Sequence, residues 1–325
     1  MRGAVELIAA VALLWAGPVA AQEKLPRILI PRDIQIVKPE AKPVDKSQDE
    51  RAGYRLIATG FRVVRQTVDH MLEADGRGDE IFVRGDRVLL DHAGGRSGLE
   101  SVRTEPIGHM LPNPAGSGQA GPFSATGDGG LVSGDTYPPQ SPYSTAPSRR
   151  RADLPLVLWE GELTRGRSGV LVVPSVWEWD GFTETVEEVR WTNSLTGSIE
   201  QLSGILGQRI GEGSPEWLLR RDLFVTVTNV GNRPIGSREA PGGLGGPGTV
   251  VGRVVPTRFP AILLTYESAA ALSSMRMDDP YQGIERDGLV TRADITLPMG
   301  VFGISYRDPE ELGGHYILYL KLERI

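Results

Sequence analysis

The sequence predicts a mainly β protein: an antiparallel, sandwich-like core with one packed α-helix and long Gly/Pro-rich loops. Short apolar and β-branched runs recur along the chain with turn residues between them. These runs do not alternate regularly with helical segments, which argues against a doubly wound sheet and for a sandwich or barrel. Only one segment, within 183–210, keeps apolar residues at helical spacing for several turns.

The chain has 325 residues, 41 of them Gly and 24 Pro. This balance is globular, slightly rich in turn formers, and sufficient for one or two domains. Residues 1–21 read as a signal peptide. Arg2 opens it, Leu7 to Ala16 is an apolar run too short to span a bilayer, and Val19-Ala20-Ala21 predicts cleavage before Gln22. Export to the periplasm or the extracellular space is therefore expected. The Arg-rich, Lys-poor usage resembles that of bacterial proteins. Residues 22–53 read as an extended arm and linker, because Pro26, Pro31, Pro39 and Pro43 forbid helix.

A β-rich domain is expected over 54–325, split as 54–110 and 154–325 around a long loop at 111–153. Tyr54 to Val68, Glu80 to Arg84 and Arg87 to Asp91 read as strands, and Gly98 to His109 as a segment pairing back. The 111–153 stretch holds seven Gly, seven Pro and six Ser, so it is either an ordered functional loop or a linker. Leu154–Thr164 and Val170–Trp179 flank Arg165-Gly166-Arg167-Ser168-Gly169 and predict a hairpin. The Gly-Arg-Ser-Gly string recurs at 95–98, a reuse of turn chemistry.

The helix is expected to be capped by Thr185 and Glu188 and to bury Leu195, Ile199, Leu202, Leu206 and Ile210. Gly197, Gly204 and Gly207 weaken it by about 1 kcal/mol each but permit close packing. Strands are then expected at 222–229, 249–255, 260–267, 289–297, 300–306 and 315–325. The last alternates, with Tyr316, Leu318, Leu320 and Leu322 on one face.

Several chemistries lack their residues. There is no Cys, hence no disulfide and no thiol catalysis. The four His have no metal-ligand spacing, no Gly-x-Ser-x-Gly occurs, and the glycines at 242–248 lack the Lys-Ser/Thr of a phosphate loop. The net charge of −6 argues against nucleic acid as a partner. No later segment is apolar enough to span a membrane as a helix.

The acidic string 69–80 carries the main site expectation. Glu73, Asp75, Asp79 and Glu80 crowd oxygen ligands around two glycines, a composition suited to Ca²⁺, though the spacing is not that of an EF-hand. The same residues would serve as a solvated turn. Asp278, Asp279, Glu285 and Asp287 form a second acidic group that loops at one end of a sandwich could bring near the first. Trp177 and Trp179 share a strand face and are candidate ligand-binding residues if exposed, core if buried. Glu160 and Glu162 share a face and would suit glycoside hydrolysis only across a cleft.

Three functions follow as expectations. The first is an exported, non-catalytic binding or structural module, with Ca²⁺ as candidate stabilising ion. The second is a secreted carboxylate-dependent hydrolase acting on glycans. The third is an envelope interaction protein whose arm adds a strand to a partner's sheet. Partners are expected among envelope or extracellular proteins or glycans.

Overall fold

The computed structural model describes residues 50–68, 78–108, 110–111, 119–120, 130–139, 141–145, 154–179, 186–228, 232–239, 252–281, 285–286, 289–290 and 296–325. In chain order the elements are β1 (Arg51–Arg65), β2 (Ile81–Asp91), β3 (Glu100–Arg103), β4 (Met110–Leu111), β5 (Gln119–Ala120), β6 (Thr136–Tyr137), β7 (Leu156–Thr164) and β8 (Ser168–Glu178). There follow α1 (Val186–Glu212), β9 (Leu218–Thr228), β10 (Arg233–Pro234), β11 (Gly252–Leu264), α2 (Tyr266–Ser274), β12 (Glu285–Arg286), β13 (Leu289–Val290), β14 (Val301–Arg307) and β15 (His315–Arg324).

The β-branched runs resolve into two antiparallel sheets, as expected. One runs β14-β15-β1-β6, with β7 also pairing β1. The other runs β3-β2-β8-β11-β9, with β10 also pairing β8. Leu56, Phe61, Leu158, Tyr316, Leu318 and Leu320 of the first sheet pack against Ile81, Val83, Val170, Val172 and Ile262 of the second. The predicted alternation of the last strand is what puts Tyr316, Leu318, Leu320 and Leu322 into this core.

α1 covers the other face of the second sheet. Trp191, Leu195, Ile199, Leu206 and Ile210 pack on Phe82, Val173, Trp177 and Leu263. Gly207 explains how closely it lies: a Cβ there would meet Gly94 N at 2.6 Å and Asp91 O at 3.0 Å. Thr185 lies outside the described residues, and the Glu188 carboxylate is committed to Arg84, Arg103 and Asn232.

Several expectations need correction. β7 and β8 form no hairpin ladder among the described residues. β7 pairs β1 and β8 pairs β2, so the 165–167 turn carries the chain from one sheet to the other. Two apolar runs around a short turn can stack face to face as well as pair edge to edge, and here both bury against the same inter-sheet core. The strands expected at 249–255 and 260–267 are one strand, β11, with Pro256 and Pro260 inside it. A second helix, α2, follows it under a capping box between Thr265 and Ser268. The first strand begins at Arg51, inside the expected linker.

Part of the 111–153 segment is built into the fold. Leu131 is fully buried in the inter-sheet core, and Tyr137 stacks on Phe61 at 5.7 Å. Tyr143 packs against Tyr319 on the outer face of the first sheet.

Candidate anion-binding cleft

Of the residues expected to hold Ca²⁺, Glu73 and Asp75 lie outside the described residues. Asp79 is buried, and its carboxylate accepts hydrogen bonds from Thr67 N (2.8 Å), Thr67 Oγ1 (2.8 Å) and the Tyr316 hydroxyl. These donors fill three of roughly four lone-pair positions on that carboxylate. Burial raises the Asp79 pKa against the pull of the Tyr316 and Thr67 hydrogen bonds. Glu80, half-buried, precedes β2 directly. Asp279 joins a different network, accepting from Tyr143 and Tyr319 hydroxyls at 2.8 and 2.9 Å and from Tyr281 N. Asp278 is exposed; the Glu285 side chain and Asp287 lie outside the described residues. Among the described residues no three His, Asp or Glu side chains are arranged to hold a metal ion.

Trp177 is fully buried, stacked on Phe82 at 5.7 Å and edge-on to Trp191 at 5.5 Å, with its indole N–H donating to Ser175. No face of its ring is open to a ligand. Trp179 is half-buried beside the same core. Glu160 and Glu162 each pair with an arginine of β1, Arg55 at 2.6 Å and Arg51 at 3.4 Å. The hydrogen bond from Arg55 holds Glu160 below the usual carboxylate range, the opposite of what a general acid needs.

A site that the sequence did not announce lies where β11 splays from β8 within the second sheet. Pro256 and Pro260 have no N–H, and the Pro256 carbonyl accepts from Arg238 N on the side of β11 that faces β8. In an antiparallel strand the N–H and C=O of one residue point the same way. The β8–β11 ladder is therefore confined to Ile262–Leu264 with Val170–Val172, while β9 follows β11 along Gly252–Ile262. Residues 232–239 fill the resulting wedge, bonded to β8 through Ile235 N→Val176 O and to β11 through Arg258 N→Gly236 O.

A buried ion network locks this wedge to the end of β14. Asp308 accepts from Gly236 N (2.8 Å), Ser237 N (2.9 Å) and Arg233 (2.7 Å). Arg233 also meets Glu178, which in turn accepts from Thr67 Oγ1. Neither Arg233 nor Asp308 is appreciably exposed, so each charge needs the other. The network fixes Arg238, one residue past Ser237, relative to Arg307, which precedes Asp308.

The overhanging β9–β11 ribbon, the wedge and edge strand β14 enclose a cleft of about 280 Å³. Its lining is Arg220, Gly236, Arg238, Arg258, Pro260 and Ile304 to Arg307. Four arginines from four segments converge there, and no acid is among the described side chains of the lining. Among the residues whose side chains are described, Arg220, Arg258 and Arg307 show no ion pair; Asp222 stands opposite Arg258 in the β9–β11 ladder. In a chain of net charge −6 this is a focused patch of the opposite sign. Guanidinium forks match carboxylate and phosphate oxygens bidentately.

The positive band continues over the outer face of β14. His315 stands between Arg307 and Arg65 in the ladder, and its Nε2 lies 2.9 Å from Ser305 Oγ. Burial first, then the charges of Arg307 and Arg65, hold His315 down at about 4. An imidazole that weakly basic is poorly matched to activating the Ser305 hydroxyl at neutral pH. The arrangement suits holding an anion better than transferring a proton.

Comparisons with protein-family models, with curated proteins and with solved structures find no match to this chain.

Proposed function

We propose that the protein is an exported, non-catalytic binding module whose cleft captures a ligand bearing closely spaced anionic groups. The observation that carries this reading is the convergence of Arg220, Arg258 and Arg307, with Arg238 beside them, on one cleft. Like-charge repulsion among Arg220, Arg258 and Arg307 acts across the cleft, two of whose walls, the wedge and the end of β14, are held together by the buried Arg233–Asp308–Glu178 framework. An anion would relieve that repulsion. Export rests on the reading of residues 1–21.

Calorimetric titration with tricarballylate and with inorganic phosphate tests this, at low and at high salt. Binding is expected at low salt and to weaken as salt rises. Arg258→Gln should lower affinity by about tenfold, the worth of a charge-assisted hydrogen bond, while Arg51→Gln on the far β1–β7 ladder should not. Absence of binding by both anions at low salt, or equal loss in the two variants, would overturn the proposal.

A further inference from the structure

One wall of the cleft is a strand edge. β14 is the outermost strand of its sheet, and its other neighbour is β15. Asp308 N donates to Gly314 O and Leu322 N donates to Gly300 O, which sets the parity of the β14–β15 ladder. By alternation, the backbones of Phe302, Ile304 and Tyr306 point into that ladder. Those of Gly303, Ser305 and Arg307 point outward to the open edge. Among the described residues their N–H and C=O groups have no partner, and Ser305 and Arg307 are exposed. Exposed edges of this kind are templates for another strand.

Side chains flank this edge on both faces. Ile304 and Tyr306 lie on the inner side, toward Pro260, Arg258 and Arg220 across the cleft. Ser305 and Arg307 lie on the outer side, with His315 behind them. A strand laid along β14 would alternate its side chains between these two basic faces.

We infer that the occupant of the cleft is an extended acidic segment of a partner protein, which adds to the β14 edge through main-chain hydrogen bonds at Gly303, Ser305 and Arg307. This rests on the anion-binding reading above and names its ligand class. Backbone pairing supplies the affinity common to such complexes, and alternate acidic side chains supply the specificity. A free anion would use the arginines alone.

The test uses an acetylated, amidated peptide of about seven residues, the length of β14, alternating aspartate with threonine or valine. A second peptide of the same sequence is N-methylated at alternate residues, so the charge stays and the ladder donors go. The protein variant is Ser305→Pro, which removes an N–H at an edge position where proline is tolerated. Binding of the first peptide is expected to weaken by about tenfold, the worth of one or two net hydrogen bonds, both on N-methylation in one of its two registers and in Ser305→Pro. Tricarballylate binding to the wild-type protein, measured beside the two peptides, reads the arginines without the ladder.

Peptide binding insensitive to N-methylation in both registers would overturn strand addition even if Ser305→Pro failed to fold. Binding of tricarballylate without binding of the peptide would overturn this inference and leave the anion cleft standing. Binding of neither would overturn both.

Discussion

Single residues in this protein work as shared hydrogen-bond centres, and Thr67 is the clearest. Its hydroxyl lies 2.8 Å from Asp79 and 2.6 Å from Glu178. It has one hydrogen and serves one carboxylate at a time. Burial raises the Asp79 pKa, so the folded state keeps its proton to a higher pH than the unfolded state does. The folded state then binds more protons between the two pKa values. Stability must fall as pH rises through that window and level off above the folded pKa. Asp79→Asn should remove this slope and leave the protein at least as stable at neutral pH, because the amide can still accept from Tyr316 and donate to Thr67. Asp79→Ala should destabilise at all pH, by about 1–3 kcal/mol for each buried donor left without an acceptor. Denaturant unfolding followed from pH 3 to 8 checks both; a slope unchanged in Asp79→Asn would refute the assignment. The sequence marked Asp79 as an acid beside glycines. It gave no sign that Tyr316, more than two hundred positions away, would donate to it.

At the scale of elements, glycine position matters more than glycine count. Gly207 sits against Gly94 and Asp91, whereas nothing lies within 4 Å of a Cβ at Gly197. Gly197→Ala should stabilise by roughly 0.5–1 kcal/mol through helix propensity. Gly207→Ala gains the same propensity but must lift α1 off the β2 turn, and should destabilise by about 1–3 kcal/mol net of it. Thermal unfolding of the two variants reads the difference in sign. The helix itself was legible because Leu195, Ile199, Leu206 and Ile210 repeat at 3.6-residue spacing. The strand ends were legible where apolar and polar residues alternate, as in β15. β11 was not, because Pro256 and Pro260 read as breaks. They interrupt one ladder only, on the side facing β8, and the strand runs on along β9. α2 was not legible because seven of its nine residues are Ala, Ser or Leu and give little periodicity. The turn between β7 and β8 looked like a hairpin because local sequence does not say whether two apolar runs meet by edge or by face.

On the scale of the whole molecule, the two sheets meet over a continuous apolar core, and the second sheet splits where β11 leaves β8. The gap is closed by the wedge, whose Ile235 joins the core and whose Arg233 ties Asp308 to Glu178. This arrangement leaves a cleft whose walls carry arginines. The cleft was not legible in the sequence because its four arginines lie at 220, 238, 258 and 307. Each alone reads as a solvated surface residue, and only the splay of β11 and the edge position of β14 bring them together. The acidic overall charge, read along the chain, even points away from it.

The most direct test of the account is a heteronuclear NMR titration of the folded protein with the alternating acidic peptide, following backbone amides and the His315 ring. The largest amide shifts are expected at Gly236, Arg238, Arg258, Ser305 and Arg307. The pKa of His315, which titrates at about 4 in the free protein, is expected to move upward once an anion offsets Arg307 and Arg65. Shifts concentrated elsewhere, with the His315 titration unmoved at saturating peptide, would contradict the account.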